Sequence, residues 1–480
     1  MSLLCFLAVA SFLMAACLTP LVRDVFHRWG FVDRPDESRK LHSAPVPRVG
    51  GIAIAIAYVA AFGLLLAFAR PVDIMVSQNL DLAWRLLPAA AAAFCTGLID
   101  DLLGLKPWQK LAGQFAAAGL AWWAGVRILG VADHSAHWWS LPLTLAWLVG
   151  CTNAFNLIDG LDGLAAGIGL VATLTIVAEG LMHGNLPLAA ATVPLAGALL
   201  GFLRYNFNPA SIFMGDCGSL LIGFLLGCFG VIWSQKSATM LGMTAPLLCM
   251  VVPVLEVALS ILRRFLRAQP IFDGDHGHVH HRLMAMGLRP RHVVLVLYGV
   301  CGLGAACSLI QSTTDFRFGG AAIVLFCLVV WLGVRRLGYV EFGVVHRMLA
   351  SGEFRRVLRA KIRLQMFHEA VSHSRMMEDC WPVIREACRD FGFTSIQFQV
   401  GENTFEEIFD PRASYRRAED DWTVRIDLTD GDYAVIRHPL NAPLQSMMIL
   451  PFLEEMHGQL LKKYRPGSGL LGQTSGAAAG

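Results

Sequence analysis

Asn153-Ala154-Phe155-Asn156-Leu157-Ile158-Asp159-Gly160-Leu161-Asp162-Gly163-Leu164 joins two apolar runs, 139–152 and 163–180. Four polar residues in it, Asn153, Asn156, Asp159 and Asp162, recur every three positions, which keeps them on one face wherever the segment is helical. An isolated acid inside a membrane span costs about 2.5–3.5 kcal/mol even on the lenient insertion scale. Acids gathered where two spans meet are therefore the most informative feature of the chain. Two more such places exist. Gly97-Leu98-Ile99-Asp100-Asp101 closes an earlier apolar run, and Ile212-Phe213-Met214-Gly215-Asp216-Cys217-Gly218-Ser219 opens a later one. Any one of these polar residues alone reads as a helix cap; all seven on one side of a bundle read as a site. Neighbouring carboxylates raise each other's pKa unless a cation joins them. Hard oxygen donors without a Cys/His set point to Mg²⁺ or Mn²⁺.

The surroundings are those of a membrane protein. The chain has 480 residues, 55% hydrophobic and 16% charged, with a mean hydropathy of +0.54. Its 39 Lys/Arg against 36 Asp/Glu is too balanced for a protein that works by coating nucleic acid. Ten of the 12 Cys precede residue 330, mostly in apolar runs and without a CxxC pair, which excludes a disulfide framework and argues against a zinc ribbon. Eleven spans are expected, near 2–20, 49–69, 83–99, 109–127, 139–152, 163–180, 186–203, 218–234, 241–262, 292–311 and 319–334. The first has no basic segment before it and no small-residue cleavage site, so it reads as a span and not a secretory signal. Alternate loops carry 14 Lys/Arg in one set and 3 in the other. That places the first set, with all the acidic sites, in the cytoplasm and the amino terminus outside.

The largest loop holds Asp273, Asp275, His276, His278, His280, His281 and Arg282, with Arg263, Arg264 and Arg267 before it. Histidine with arginine suits phosphate oxygens; zinc is the rival reading. The first loop adds Lys40 and Pro45-Val46-Pro47-Arg48-Val49-Gly50-Gly51, whose glycine pair permits close backbone approach, while Arg48 itself is expected to be solvated. Acids for a divalent ion beside cations for phosphates amount to phosphoryl-transfer equipment. The acceptor is expected to be lipid-linked because the site stands at span ends.

From Arg335 the composition becomes that of a soluble protein. The division expected is a multi-spanning all-α domain at 1–334, a cytoplasmic α+β domain at 335–466 and a disordered tail at 467–480. The second domain is expected to have helices at 345–371, 373–391 and 443–463, and strands at Ser395–Val400, around Trp422–Leu428 and at Tyr433–Arg437.

Over residues 1 to about 334 these motifs resemble the polyprenyl-phosphate N-acetylhexosamine-1-phosphate transferases, glycosyltransferase family 4, which include the enzymes that start bacterial cell-envelope glycans and the phospho-muramoyl-pentapeptide translocases. The resemblance rests on Asn153 to Leu164, Phe213-Met214-Gly215-Asp216, the Asp100-Asp101 pair and the His loop. It implies that undecaprenyl phosphate attacks the β-phosphate of a UDP-sugar at the cytoplasmic face of the bacterial inner membrane, releasing UMP. It further implies that Asp216 is a Mg²⁺ (or Mn²⁺) ligand, that Asp100 and Asp101 serve the lipid phosphate and the metal, and that Asn153, Asn156, Asp159 and Asp162 serve the nucleotide and metal region. Asn206 and Phe213 would contact uracil, Lys40 a phosphate, and His278, His280, His281 and Arg282 the diphosphate and sugar. Whether an Asp acts as a general base is left open, since a lipid phosphate near neutral pH needs only orientation. His278-Val279-His280-His281-Arg282 resembles the HxHH form of the N-acetylglucosamine enzymes, favouring UDP-GlcNAc over the muramoyl substrate. The second domain is faintly similar to GAF-type sensor modules, and a homodimer is left open. An ion-coupled transporter, the rival class, would put its acids near the midplane, often with inverted repeats; an inert membrane sensor would show degraded acidic motifs.

Overall fold

The computed structural model describes residues 2–33, 45–68, 74–128, 139–235, 244–266, 277–313, 316–338, 364–372, 377–400, 403–410, 421–427, 432–439 and 452–458. The chain divides into two compact units, Met1–Tyr339 and Val340–Gly480.

In the first unit the apolar runs are helical, since backbone in lipid must satisfy its hydrogen bonds internally. In order they are α1 (Ser2–Arg28), α2 (Gly51–Phe68), α3 (Ile74–Leu103), α4 (Pro107–Trp123), α5 (Ser140–Ile158), α6 (Leu164–Met182), α7 (Leu186–Asn206), α8 (Gly215–Gln235), α9 (Thr244–Cys249), α10 (Val251–Leu266), α11 (Val279–Ala285), α12 (Pro290–Thr313) and α13 (Phe316–Arg336). Among the described residues, nine are long and apolar enough to cross a membrane: α1, α2, α3, α5, α6, α7, α8, α12 and α13. Two of the eleven expected runs are not among these nine. The run 109–127 forms α4, only 17 residues long. The run 241–262 is interrupted at Met250 between α9 and α10, because Pro253 has no N–H to give the Cys249 carbonyl four residues back.

Two helices also run further than expected. α5 continues past 152 to Ile158, so Asn153 and Asn156 stand on its last turns and only Asp159 and Asp162 belong to the turn before α6. α3 carries Asp100 and Asp101 within its final turn. The C-terminal ends of α3, α5 and α7 and the N-terminal ends of α4, α6 and α8 thus meet on one side of the bundle.

α8 is the central helix, with 89% of its apolar window buried against 11% for α13. Fully buried Ala189, Ala190, Ala191 and Ala198 on α7 let α1, α3 and α6 approach it closely. A two-residue ladder, β1 (Val32–Asp33) with β2 (Val46–Pro47), delivers the strap 47–51 to the same end.

The second unit has an antiparallel sheet of β3 (Ser395–Val400), β4 (Asn403–Ile408), β5 (Asp421–Asp427) and β6 (Tyr433–Pro439), in the order β4-β3-β6-β5. Its Ile396, Phe398, Ala434, Ile436 and Ile426 pack with residues of the helices 364–372, Met377–Asp390 and 452–458. β4 was not expected, because its Glu406 and Glu407 weaken the alternation; as an edge strand it needs only one buried face. The remainder of the helices expected at 345–371 and 443–463, and the tail 467–480, lie outside the described residues.

Candidate active site

Asp216 stands in the first turn of α8, buried, and three groups converge on its carboxylate. Oδ1 accepts from Arg48 Nη2 at 2.7 Å and Asn156 Nδ2 at 3.1 Å; Oδ2 accepts from Lys110 Nζ. The Lys110 ammonium also meets Asp100 Oδ2 at 3.1 Å and Asn156 Oδ1 at 3.1 Å. Three oxygens from α3, α5 and α8 therefore surround one cationic point supplied by α4. Asn156 Nδ2 reaches on to Ser219 Oγ at 3.0 Å, so the amide is fixed from both sides. Asp100 is held by Leu105 N–H on Oδ1 at 2.7 Å. Asp101 spends both oxygens on backbone, accepting from Asp216 N and Cys217 N at 2.8 Å each.

Arg48, expected to be solvated, is instead an ion-pair partner. Its side chain is 56% exposed, but it reaches Asp216, only 6% exposed, and lies 3.9 Å from Asp101. The strap that carries it is stitched to the loop before α8: Phe213 N–H donates to the Pro47 carbonyl at 2.8 Å, Gly50 N–H to Phe213 at 2.9 Å and Gly51 N–H to Met214 at 2.8 Å. The close approach allowed by the glycine pair is to α8. A Cβ on Gly51 would lie 2.2 Å from Gly218 N.

Asp159, at the C-terminal end of α5, is partly buried. Burial pushes its carboxyl well above the usual carboxylate range; Arg48 opposes the rise, and Asp216, Asp101 and Asp162 add to it. Asp162 is committed to the α7–α8 loop, accepting from Asn208 Nδ2 at 2.9 Å and Ala210 N at 3.0 Å.

The His loop starts α11. His278 and His280 are buried, and both turn Nδ1 toward Glu256 of α10, at 3.3 Å and 3.6 Å. On its other edge, His280 Nε2 lies 3.5 Å from where a Cβ on Gly160 would stand, which joins the loop to the Asp159 turn. His281 is half-buried, with its ring 4.3 Å from that of His280.

Residues 83–234, the stretch that contains Asp100 to Asp216, match the model of Glycosyl transferase family 4. A Bacillus subtilis protein named "Probable undecaprenyl-phosphate N-acetylglucosaminyl 1-phosphate transferase" is 33% identical over 335 residues, covering 68% of this chain and 86% of that one. The chain belongs to glycosyl transferase family 4. It is also 38% identical to the decaprenyl-phosphate N-acetylglucosaminephosphotransferase of Mycobacterium tuberculosis, covering 64% of this chain and 82% of that one. To the phospho-N-acetylmuramoyl-pentapeptide-transferase of Lactobacillus gasseri it is 30% identical, covering 56% and 86%.

Several residues singled out in the sequence also make structural contacts within the bundle. Asn153 exchanges hydrogen bonds with Gln114 of α4, at 2.6 and 3.3 Å, and braces α5 against α4. Asn206 is buried and donates to the Ile212 carbonyl at 2.9 Å, shaping the loop that would flank a base. Phe213 is partly exposed and takes part through its backbone. Arg282, expected on the diphosphate, donates from Nη1 to the Leu337 and Gly338 carbonyls at 3.2 and 3.0 Å, capping α13. Lys40, Asp273, Asp275 and His276 lie outside the described residues.

Lys110, Gln114 and Glu256 were missed. Lys110 and Gln114, four apart on a mostly apolar helix, form a polar face that could have been read; Glu256 is a lone acid in an apolar run, the same signal that revealed Asp216. Among the described residues no three acidic, His or Cys side chains form a metal-ligand group. The convergent oxygens of Asp100, Asp216 and Asn156 are nevertheless hard donors already arranged around a cation, and they fit a divalent ion of the Mg²⁺ type.

Proposed function

We propose that this chain transfers N-acetylhexosamine-1-phosphate, GlcNAc-1-phosphate by preference, from a UDP-sugar to undecaprenyl phosphate, starting a lipid-linked cell-envelope glycan. An oxygen of the lipid phosphate attacks the phosphorus that bears the sugar, the bridging P–O bond to UMP breaks, and UMP leaves. The observation that carries this reading is the convergence of Asp100, Asn156 and Asp216 on Lys110, with Arg48 beside them, at one end of the bundle. Cations placed there offset the charge of two phosphates that must approach each other. Asp100, Asp216 and Asn156 would hold Mg²⁺ or Mn²⁺, which when bound neutralises the diphosphate and the leaving UMP. Asp101 holds Asp216 in position, and Asp159 faces the same cluster.

The HxHH pattern supports the N-acetylglucosamine donor, in agreement with the names of the Bacillus and Mycobacterium relatives. The bias of basic residues among alternate loops supports a cytoplasmic site in a bacterial inner membrane. For the second unit, the four-stranded sheet supports a sensor-like module of the GAF type. The test is release of UMP by the purified protein with a panel of UDP-sugars, including UDP-GlcNAc and UDP-MurNAc-pentapeptide, with and without undecaprenyl phosphate and Mg²⁺. UMP formation that ignores the lipid phosphate, or a preference for the muramoyl donor, would overturn the assignment. Cysteine labelling at Asp100, Asp159, Asp216 and His280 reachable only from outside would overturn the orientation.

A further inference from the structure

Glu256 is 1% exposed within α10, a helix otherwise built mostly from Val, Leu and Ile up to its basic end. A carboxylate so placed is tolerated only when donors converge on it. Oε1 accepts from the Val279 N–H at 2.7 Å, one of the amides that the short helix α11 leaves free. Oε2 faces His278 Nδ1 at 3.3 Å, and Oε1 lies 3.6 Å from His280 Nδ1, an electrostatic contact just longer than a hydrogen bond. The two imidazoles stack in parallel, with centroids 5.4 Å apart and 5° between their planes, as two rings drawn by one edge toward the same carboxylate would. Their opposite edges point away from Glu256. That of His280 borders the Asp159–Gly160 turn.

We propose that Glu256 is a positioning residue for sugar-nucleotide binding. It keeps Nδ1 of His278 and His280 protonated and turned inward, so that Nε2 is the edge each ring presents to the diphosphate of the donor. This deepens the transferase reading and rests on it. The physical reason is acceptor count: two carboxylate oxygens offer about four lone-pair sites, enough for three N–H groups. A glutamine keeps the shape but turns one oxygen into an NH₂, which meets an N–H head-on. One ring must then rotate or move its proton to Nε2.

Glu256→Gln is expected to raise KM for UDP-GlcNAc by about 10- to 100-fold, by analogy with the loss seen when the hydrogen-bonding partner of a metal-bound histidine is removed, with KM for undecaprenyl phosphate unchanged. Combined with His280→Ala it should add little, since both changes remove one device. Additive losses, or an unchanged KM for the donor, would overturn the proposal. A second measurement does not use the Glu256→Gln variant. In ¹⁵N-histidine-labelled wild-type protein, with signals assigned through His278→Ala and His280→Ala, both residues should carry a proton on Nδ1; a bare Nδ1 in either ring would overturn it. The two levels separate cleanly. Wild-type protein that transfers no sugar phosphate sinks the transferase reading, whereas active wild type with normal donor binding in Glu256→Gln sinks only the role of Glu256.

Discussion

Asp101 and Asp216, 115 residues apart in the chain, are fastened through the backbone: Asp101 Oδ1 accepts the Asp216 N–H at 2.8 Å, while Oδ2 takes the next amide, that of Cys217, at the same distance. A carboxylate on the free amides at the start of a helix satisfies donors that have no partner within it and meets the positive end of its dipole. Asp101 thus fixes the direction in which Asp216 leaves α8. Asp101→Ala should lower stability by about 0.5–2 kcal/mol, the usual value of a lost cap, and lower turnover with it. Asp216→Asn leaves the cap in place and should cost turnover about 10²-fold or more. Thermal unfolding in detergent together with UMP release separates the two. An Asp216→Asn enzyme with near-normal turnover at limiting Mg²⁺ would remove Asp216 from the chemistry.

Lys110 occupies the point where Asp100, Asn156 and Asp216 converge, so a divalent ion bound by the same oxygens must displace or share with it. Lys110→Met should therefore lower the maximal rate while lowering the Mg²⁺ concentration needed for half-maximal activity. Titration of the rate with Mg²⁺ reads both. A variant that needs more Mg²⁺ would show that the ammonium helps to assemble the ion site instead of competing for it.

Gly97 sets how closely α3 lies against α8. A Cβ there would sit 2.3 Å from the Asp216 carbonyl oxygen, and backbone cannot swing aside as a side chain can. Gly97→Ala should cost about 1–3 kcal/mol by overpacking and displace Asp216 from Asp100. Gly63→Ala, with nothing within 4 Å, serves as the control. Equal melting temperatures and rates for the two variants would refute the close-approach argument.

How much was legible in the sequence follows from what each residue has to contact. Asp100, Asp159 and Asp216 announced themselves because an acid beside lipid has a cost that only a site or a strong partner offsets. The partners themselves were less visible. Arg48 read as an ordinary boundary cation and Lys110 passed unread inside the run 109–127, since sequence shows that a charge is affordable near headgroups but not which acid it meets, for Arg48 one 168 residues away. Asn153 looked equivalent to Asn156, yet it braces Gln114, and Asn206, expected at uracil, donates to the Ile212 carbonyl, details set by helix rotation and loop path. The break at Met250 was readable from Pro253. β4 was not, because an edge strand needs little hydrophobic alternation.

His438 gives the second unit a predicted pH dependence. It is buried between Phe393 and Trp422, with ring centroids at 5.4 and 5.3 Å. Burial lowers its pKa from the ordinary 6.5, while the bond to the Pro439 carbonyl and the charge of Asp421 act the other way. A folded-state pKa below the unfolded one means that full stability is present above pH 6.5 and is lost as pH falls from there toward the folded value. Hydrogen exchange of peptides from β5 and β6 in the full chain, corrected for intrinsic rate, should show weaker protection with decreasing pH in that window. His438→Gln should flatten the dependence. A wild-type profile that is already flat would show that the ring takes up its proton equally in both states, so that burial does not lower its pKa.

Truncation tests the division of labour between the two units. The proposed ion, nucleotide and lipid contacts all lie before Tyr339, where the first unit ends, and that unit has its own continuous core. The Leu337 and Gly338 carbonyls matter to it, because Arg282 of α11 donates to both and so ties the His loop to the end of α13. A chain ending at Gly338 keeps these carbonyls and the basic pair Arg335 and Arg336, which in the proposed orientation would meet an anionic leaflet. It should retain lipid-dependent UMP release. A chain ending at Val334 loses the cap and should bind UDP-GlcNAc more weakly, because α11 is then held at one end only. Both are checked in membranes by insertion, donor binding and transfer. If the longer truncation inserts and binds donor yet cannot transfer sugar phosphate to the lipid, the second unit belongs to the catalytic machinery and the division fails.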